Sequence, residues 1–189
     1  MIWRCYIRAG LLAYALFFGG AGSVLAHALP GSALLIRQDE SELRLTIQFP
    51  LEDAIIAEPE LAVLEGMKAD EPLSNRMEDR LVSYLHHHLS LTAGGASLPL
   101  TLYDARIQTA YHDHVGHFLQ IVTQWRAASI EIEPNSLVLK YDAVMHEVRN
   151  HRATVRFLMQ NREARQIAEF GFFDAEKGIP LELRATGLE

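Results

Sequence analysis

Residues 137–159 alternate twice with period two, on either side of a polar crossing. Leu137, Leu139 and Tyr141 interleave with Val138, Lys140 and Asp142; further on, Val155, Phe157 and Met159 interleave with Thr154, Arg156 and Leu158. Alternation of this kind sends successive side chains to opposite faces of an extended backbone, so each run reads as a half-buried strand. Wound as helix, the same residues would scatter their apolar groups around the whole circumference. Between the runs lie Asp142, His146, Glu147, Asn150 and His151, the densest mixture of acid, imidazole and amide in the C-terminal half. This crossing is a leading candidate for a chemical site.

The rest of the chain repeats the extended signature. Residues 32–37 and 42–49 are short apolar or alternating runs joined by a few polar residues, which predicts a hairpin ended by Pro50. Residues 51–57 suggest a helical turn, and 61–64 fit turn or strand. Over 71–89, Met77, Leu81, Val82, Tyr84 and Leu85 recur at spacings of three and four behind Ser74, a good N-cap, which predicts one amphipathic helix. Residues 97–107, 118–125, 129–133 and 165–174 read as strands, with 111–117 a polar connection. About eight short strands at regular turn spacing, plus one helix over an open edge or end, predict an immunoglobulin-like or related β-sandwich.

The first 26 residues stand apart. Arg4 and Arg8 precede an apolar run over 11–18 and small residues over 19–26, the layout of a secretory signal peptide. Cleavage falls before His27 or before Leu29, leaving residues 27–189 as one periplasmic or otherwise extracytoplasmic domain. Removal of 1–26 leaves 15 basic and 24 acidic residues, a formal charge of −9, and takes away the single cysteine, Cys5. The expectation is a domain without disulfides, whose negative charge disfavours nucleic acid as partner. No second apolar run of about 20 residues predicts a membrane span in the mature part.

All nine histidines lie outside the first 26 residues. Imidazole is the commonest transition-metal ligand, and without thiolate any site is built from nitrogen and oxygen, which suits nickel, cobalt, copper or zinc. His112, Asp113, His114 and His117 form the most ligand-like string, with Gly116 allowing a bend; a solvated hairpin loop is the alternative. His86–His88 end the helix, where cations favour the macrodipole and bond the last carbonyls. Asp142, His146 and His151 either bind a metal or tie two strands together. Read as strand, Asp142 and His146 stand about 13 Å apart, too far for easy co-ligation. His27, if freed by cleavage, pairs an α-amino group with an imidazole, a chelate that suits copper and a copper-dependent oxidase. No G-x-S-x-G, H-E-x-x-H or phosphate-binding glycine string supports another enzyme class.

Several of these residues carry a resemblance. His27-Ala-Leu-Pro-Gly-Ser32, the helix end Tyr84-Leu85-His86-His87-His88, and Tyr141-Asp142-Ala-Val-Met-His146-Glu-Val-Arg-Asn-His151-Arg-Ala153 resemble the extracytoplasmic N-terminal domain of HupE/UreJ-like membrane proteins. In that family a signal peptide and a β-rich domain precede transmembrane helices. The resemblance spans nearly all of residues 27–185 and implies an exported domain associated with nickel or cobalt uptake. Because the membrane helices do not follow within these 189 residues, it also implies a partner: a separately encoded membrane transporter, or the remainder of a longer chain. Three function classes follow. They are an accessory domain that binds a transition metal or docks on a transporter, a pure interaction sandwich with structural histidines, and the copper oxidase.

Overall fold

The computed structural model describes residues 30–39, 42–128, 137–158 and 163–181. The expected signal peptide over 1–26, His27, the run 129–133 and Met159 lie outside these. Among the described residues ten strands form two sheets, so the fold is mainly β, as the alternation predicts. The first sheet has six strands in the order β5-β6-β2-β1-β8-β9, and contains β1 (Ser32–Gln38), β2 (Glu42–Pro50), β5 (Thr101–His112), β6 (Gly116–Ala128), β8 (Arg152–Leu158) and β9 (Arg165–Gly171). The second, in the order β10-β7-β3-β4, contains β3 (Leu89–Ala93), β4 (Ala96–Ser97), β7 (Leu137–Tyr141) and β10 (Ile179–Pro180).

One apolar core is shared by the two sheets. Leu34, Ile36, Leu45, Ile47 and Trp125 come from the first, Leu91, Leu139 and Tyr141 from the second. The period-two patterns translate directly: Leu137, Leu139 and Tyr141 are buried in β7, as are Ala153, Val155 and Phe157 in β8. β1 and β2 pair as the antiparallel hairpin, while β1 runs parallel to β8 from the Ser32–Ala153 rung onward.

Between β2 and β3 the chain is helical. α1 (Leu51–Ala57) is followed by a 3-10 turn over Pro59–Leu64 and by α2 (Asn75–His88). The stripe on α2 is as expected, with Leu81, Tyr84 and Leu85 buried. Its start is later than the pattern suggested, because Pro72 is drawn into a bridge with Arg106 of β5. Ser74 is the N-cap residue but caps through its backbone carbonyl, which accepts from Met77 and Glu78. A last short helix, α3 (Phe172–Ala175), ends what the sequence presented as one strand over 165–174.

Two further expectations are corrected. The run 97–107 is not one strand: Ser97 closes β4 in the second sheet and Thr101 opens β5 in the first. Pro99 lies between them, and a proline cannot donate to a ladder. Nor do residues 142–150 continue β7. They form turns, and Ala143, Val144 and Met145 are all fully buried. Three consecutive buried side chains cannot belong to a strand with one solvent face.

Candidate functional site

The crossing carries the chain from β7 in one sheet to β8 in the other. Its backbone folds back on itself: His146 and Val148 donate to the carbonyls of Asp142 and Val144, at 3.1 and 2.9 Å, and His151 to that of Val148 at 2.9 Å. Val144 stands at φ 69 although it is β-branched and buried. That conformation is costly for such a residue and persists only where the surroundings hold it. Here the Val144 N–H donates to the Tyr84 hydroxyl at 2.7 Å, which ties the turn to α2. Burial raises the Tyr84 phenol above its ordinary pKa.

On the outer side of the crossing, His88 at the end of α2 donates from Nδ1 to Asp142 Oδ1 at 2.8 Å, while Asp142 N–H donates to the His88 carbonyl at 3.1 Å. The turn brings His146 back beside them, with Nδ1 3.3 Å from the Asp142 carbonyl oxygen and its ring stacked on His88 at 4.1 Å and 14°. Asp142 and His146 are therefore neighbours, closer than an extended segment would place them. The stacked rings are nevertheless poorly arranged for joint coordination. A metal lies in the plane of each ligating imidazole at about 2 Å from nitrogen, and two nearly parallel planes do not converge at that distance.

On the inner side, His151 is buried and both its nitrogens are engaged. Nδ1 lies 3.0 Å from Asp53 Oδ2, and Nε2 lies 2.8 Å from Ser32 Oγ, which is 2.7 Å from the Tyr141 hydroxyl. An ionised carboxylate only accepts, so Asp53 fixes the proton on Nδ1. In a neutral ring Nε2 then accepts from Ser32, which leaves the Ser32 oxygen to accept from Tyr141. Burial pushes the Tyr141 phenol up, which keeps it a donor. The relay joins α1, β1, β7 and the end of the crossing. Gly31 makes this approach possible, because a Cβ there would stand 2.1 Å from the Arg152 carbonyl oxygen.

Ser32, His151 and Asp53 stand in the order of a nucleophile, a base and its orienting acid, which no sequence motif announced. The serine is 2% exposed and its hydroxyl is held from two sides. As found, the relay is a brace.

The crossing therefore divides the expected ligands. Asp142 and His146 come together with His88, which the sequence assigned to helix capping, whereas His151 joins Ser32 and Asp53. At the helix end the His88 carbonyl accepts from Asp142 N–H, while His87 Nδ1 lies 2.7 Å from the Ser83 carbonyl oxygen one turn back. At the far end of the first sheet, His112, His114 and His117 occupy the tip of the β5–β6 hairpin and are exposed. His27 lies outside the described residues. Among those described, no group of three His, Cys, Asp or Glu side chains is arranged to hold a metal ion.

Beside the crossing, a recess of about 430 Å³ opens between the 3-10 turn and α2, lined among others by Glu58, Glu60, Asp79, Arg80, His87 and His88. Fold and site together define a two-sheet β domain whose inter-sheet crossing is braced by histidine and aspartate next to an open polar recess. No family model and no curated protein matches the chain.

Proposed function

We propose that this chain is an exported, non-enzymatic accessory domain that docks on a membrane protein of transition-metal uptake, with the crossing as the brace of its docking face. The observation that carries the reading is the double position of His88. One side of it closes the hydrogen-bonded crossing through Asp142, and the other lines the open recess. A rigid wall beside a polar recess suits the reception of a partner's loop. The acid and imidazoles of the crossing, Asp142, His146 and His151, are engaged within the fold. The resemblance of the crossing to the HupE/UreJ-like domain supplies the partner: a nickel or cobalt transporter, encoded separately or continuous with this domain.

Two measurements on the exported protein test this. A photo-crosslinking residue at Ser83, in the recess, is expected to form an adduct with a membrane protein, while one at Thr46, on a sheet face away from it, is not. Equal or absent adducts from both positions overturn the docking face. Native mass spectrometry of the untagged protein with nickel, cobalt, copper and zinc is expected to show no ion that depends on the crossing. One tight ion lost in an Asp142→Ala, His146→Ala, His151→Ala triple variant replaces docking by metal binding there.

A further inference from the structure

The hairpin tip has chemistry that the docking reading does not use. From Asp104 onward β5 pairs with β6 without a break down to the His112–Gly116 rung, and Asp113, His114 and Val115 close the turn. Val115 N–H donates to the His112 carbonyl at 3.0 Å, and Gly116 adopts φ 83. This is a three-residue loop built on a tight turn followed by a left-handed residue, a connection that fixes its own geometry. The tip is therefore a stiff platform.

On that platform the three imidazoles separate into two sets. His117 lies directly opposite Tyr111, their rings 5.2 Å apart, so these two share a face. His112 is one residue on from Tyr111, and successive strand residues face opposite ways. The His112 ring meets His114 instead, at 5.6 Å between centroids and 56° between planes. The His114 N–H donates to His112 Nδ1 at 3.4 Å, which orients the His112 ring. An ion on His112 Nε2 requires the tautomer with the proton on Nδ1, so binding there replaces this long, exposed hydrogen bond.

We propose that His112 and His114 form a two-imidazole site for a divalent transition ion of the nickel, copper and zinc class, with water completing its coordination. An ion about 2 Å from one nitrogen of each ring, at a near-tetrahedral angle, places the ring centroids about 5 Å apart in inclined planes. The tip meets that condition, whereas the near-parallel His88–His146 pair does not. His117 is not a ligand. Because both imidazoles are exposed, binding displaces water and the long contact at His112 Nδ1 rather than any buried bond.

The test uses nickel(II) and zinc(II) alone on isotopically labelled, untagged, exported protein, followed by nuclear magnetic resonance and calorimetry. Nickel is expected to broaden the signals of residues 111–117 selectively, and zinc to shift the His112 and His114 ring resonances. His112→Ala and His114→Ala should each weaken zinc binding at least tenfold, and His117→Ala by less than twofold. Uptake confined to the N-terminus or the crossing, equal loss in all three variants, or no uptake by the wild type overturns the site. The crossing variants named above should leave tip binding unchanged, so this result is independent of the docking reading.

Discussion

The crossing and the hairpin tip are both rich in histidine, yet the fold uses the residue in opposite ways. At the crossing, every imidazole has an internal acceptor, donor or stacking neighbour: His88 and His146 with Asp142, and His151 with Asp53 and Ser32. At the tip, His112, His114 and His117 are exposed and meet mainly one another and Tyr111. Surroundings decide the role. A buried imidazole must satisfy its nitrogens inside the protein, because an unpaired buried polar group costs about 1–3 kcal/mol. An exposed one has water in place of a partner and keeps its lone pair for a ligand. The contrast predicts a gradient of stability effects from the relay outward.

The largest effect belongs to His151. His151→Ala removes both hydrogen bonds of a buried ring and leaves Ser32 and Asp53 facing the cavity, which should cost about 3 kcal/mol in urea unfolding. A cost below about 1 kcal/mol would break the comparison at its firmest point. Gly31→Ala comes next. Its methyl group meets the backbone of Arg152 rather than a flexible side chain, so β1 must shift against β8, at a cost of roughly 2 kcal/mol. A neutral result would mean that Ser32 does not depend on this close approach.

The two buried phenols give a dependence on pH. Burial raises Tyr84 and Tyr141 above the ordinary value, so in the unfolded chain they ionise near pH ~10 while in the fold they remain protonated. Above that pH the folded state holds more protons, and stability falls as pH rises; below it the contribution is fully present. Each tyrosine should steepen the alkaline loss by about 1.4 kcal/mol per pH unit. Tyr84→Phe and Tyr141→Phe should each remove one such increment, measured as urea midpoints between pH 9 and 11. An unchanged alkaline slope in both variants would show that the hydroxyls ionise without opening the brace.

These residues also show where sequence pattern stops. The strands β1, β2, β7 and β8 could be read directly, because burial on one face imposes period two on the side chains. The helix α2 could be read from its stripe of Leu81, Tyr84 and Leu85. The crossing misled for a physical reason. Asp142, Val144, His146 and Val148 also alternate, but the backbone turns at Val144 through a conformation that its side chain gives no hint of. That turn, not the alternation, sets His146 beside Asp142. The relay was hidden more deeply: Ser32, Asp53 and His151 are far apart in the chain, and only the parallel pairing of β1 with β8 brings the serine to the histidine. Its one local trace was Pro30-Gly31-Ser32, where the glycine marks a close backbone approach.

The smallest effect is the most discriminating. His112→Gln with His114→Gln should change stability by less than about 0.5 kcal/mol, since both side chains are exposed and the hairpin is held by its ladder and by Gly116. The same pair of substitutions is expected to remove the zinc response of the tip. Stability kept while binding is lost is the reverse of the pattern for His151→Ala, where stability should fall without the loss of any ion. A loss above 1 kcal/mol from the double glutamine variant would mean that the tip imidazoles are structural as well, and that the two regions differ in degree of exposure rather than in role. Unchanged stability with an unchanged zinc response would leave the platform intact and move the ligand elsewhere. The thermal midpoint and the zinc titration of this one variant therefore separate a histidine that holds the fold from one that the fold holds out.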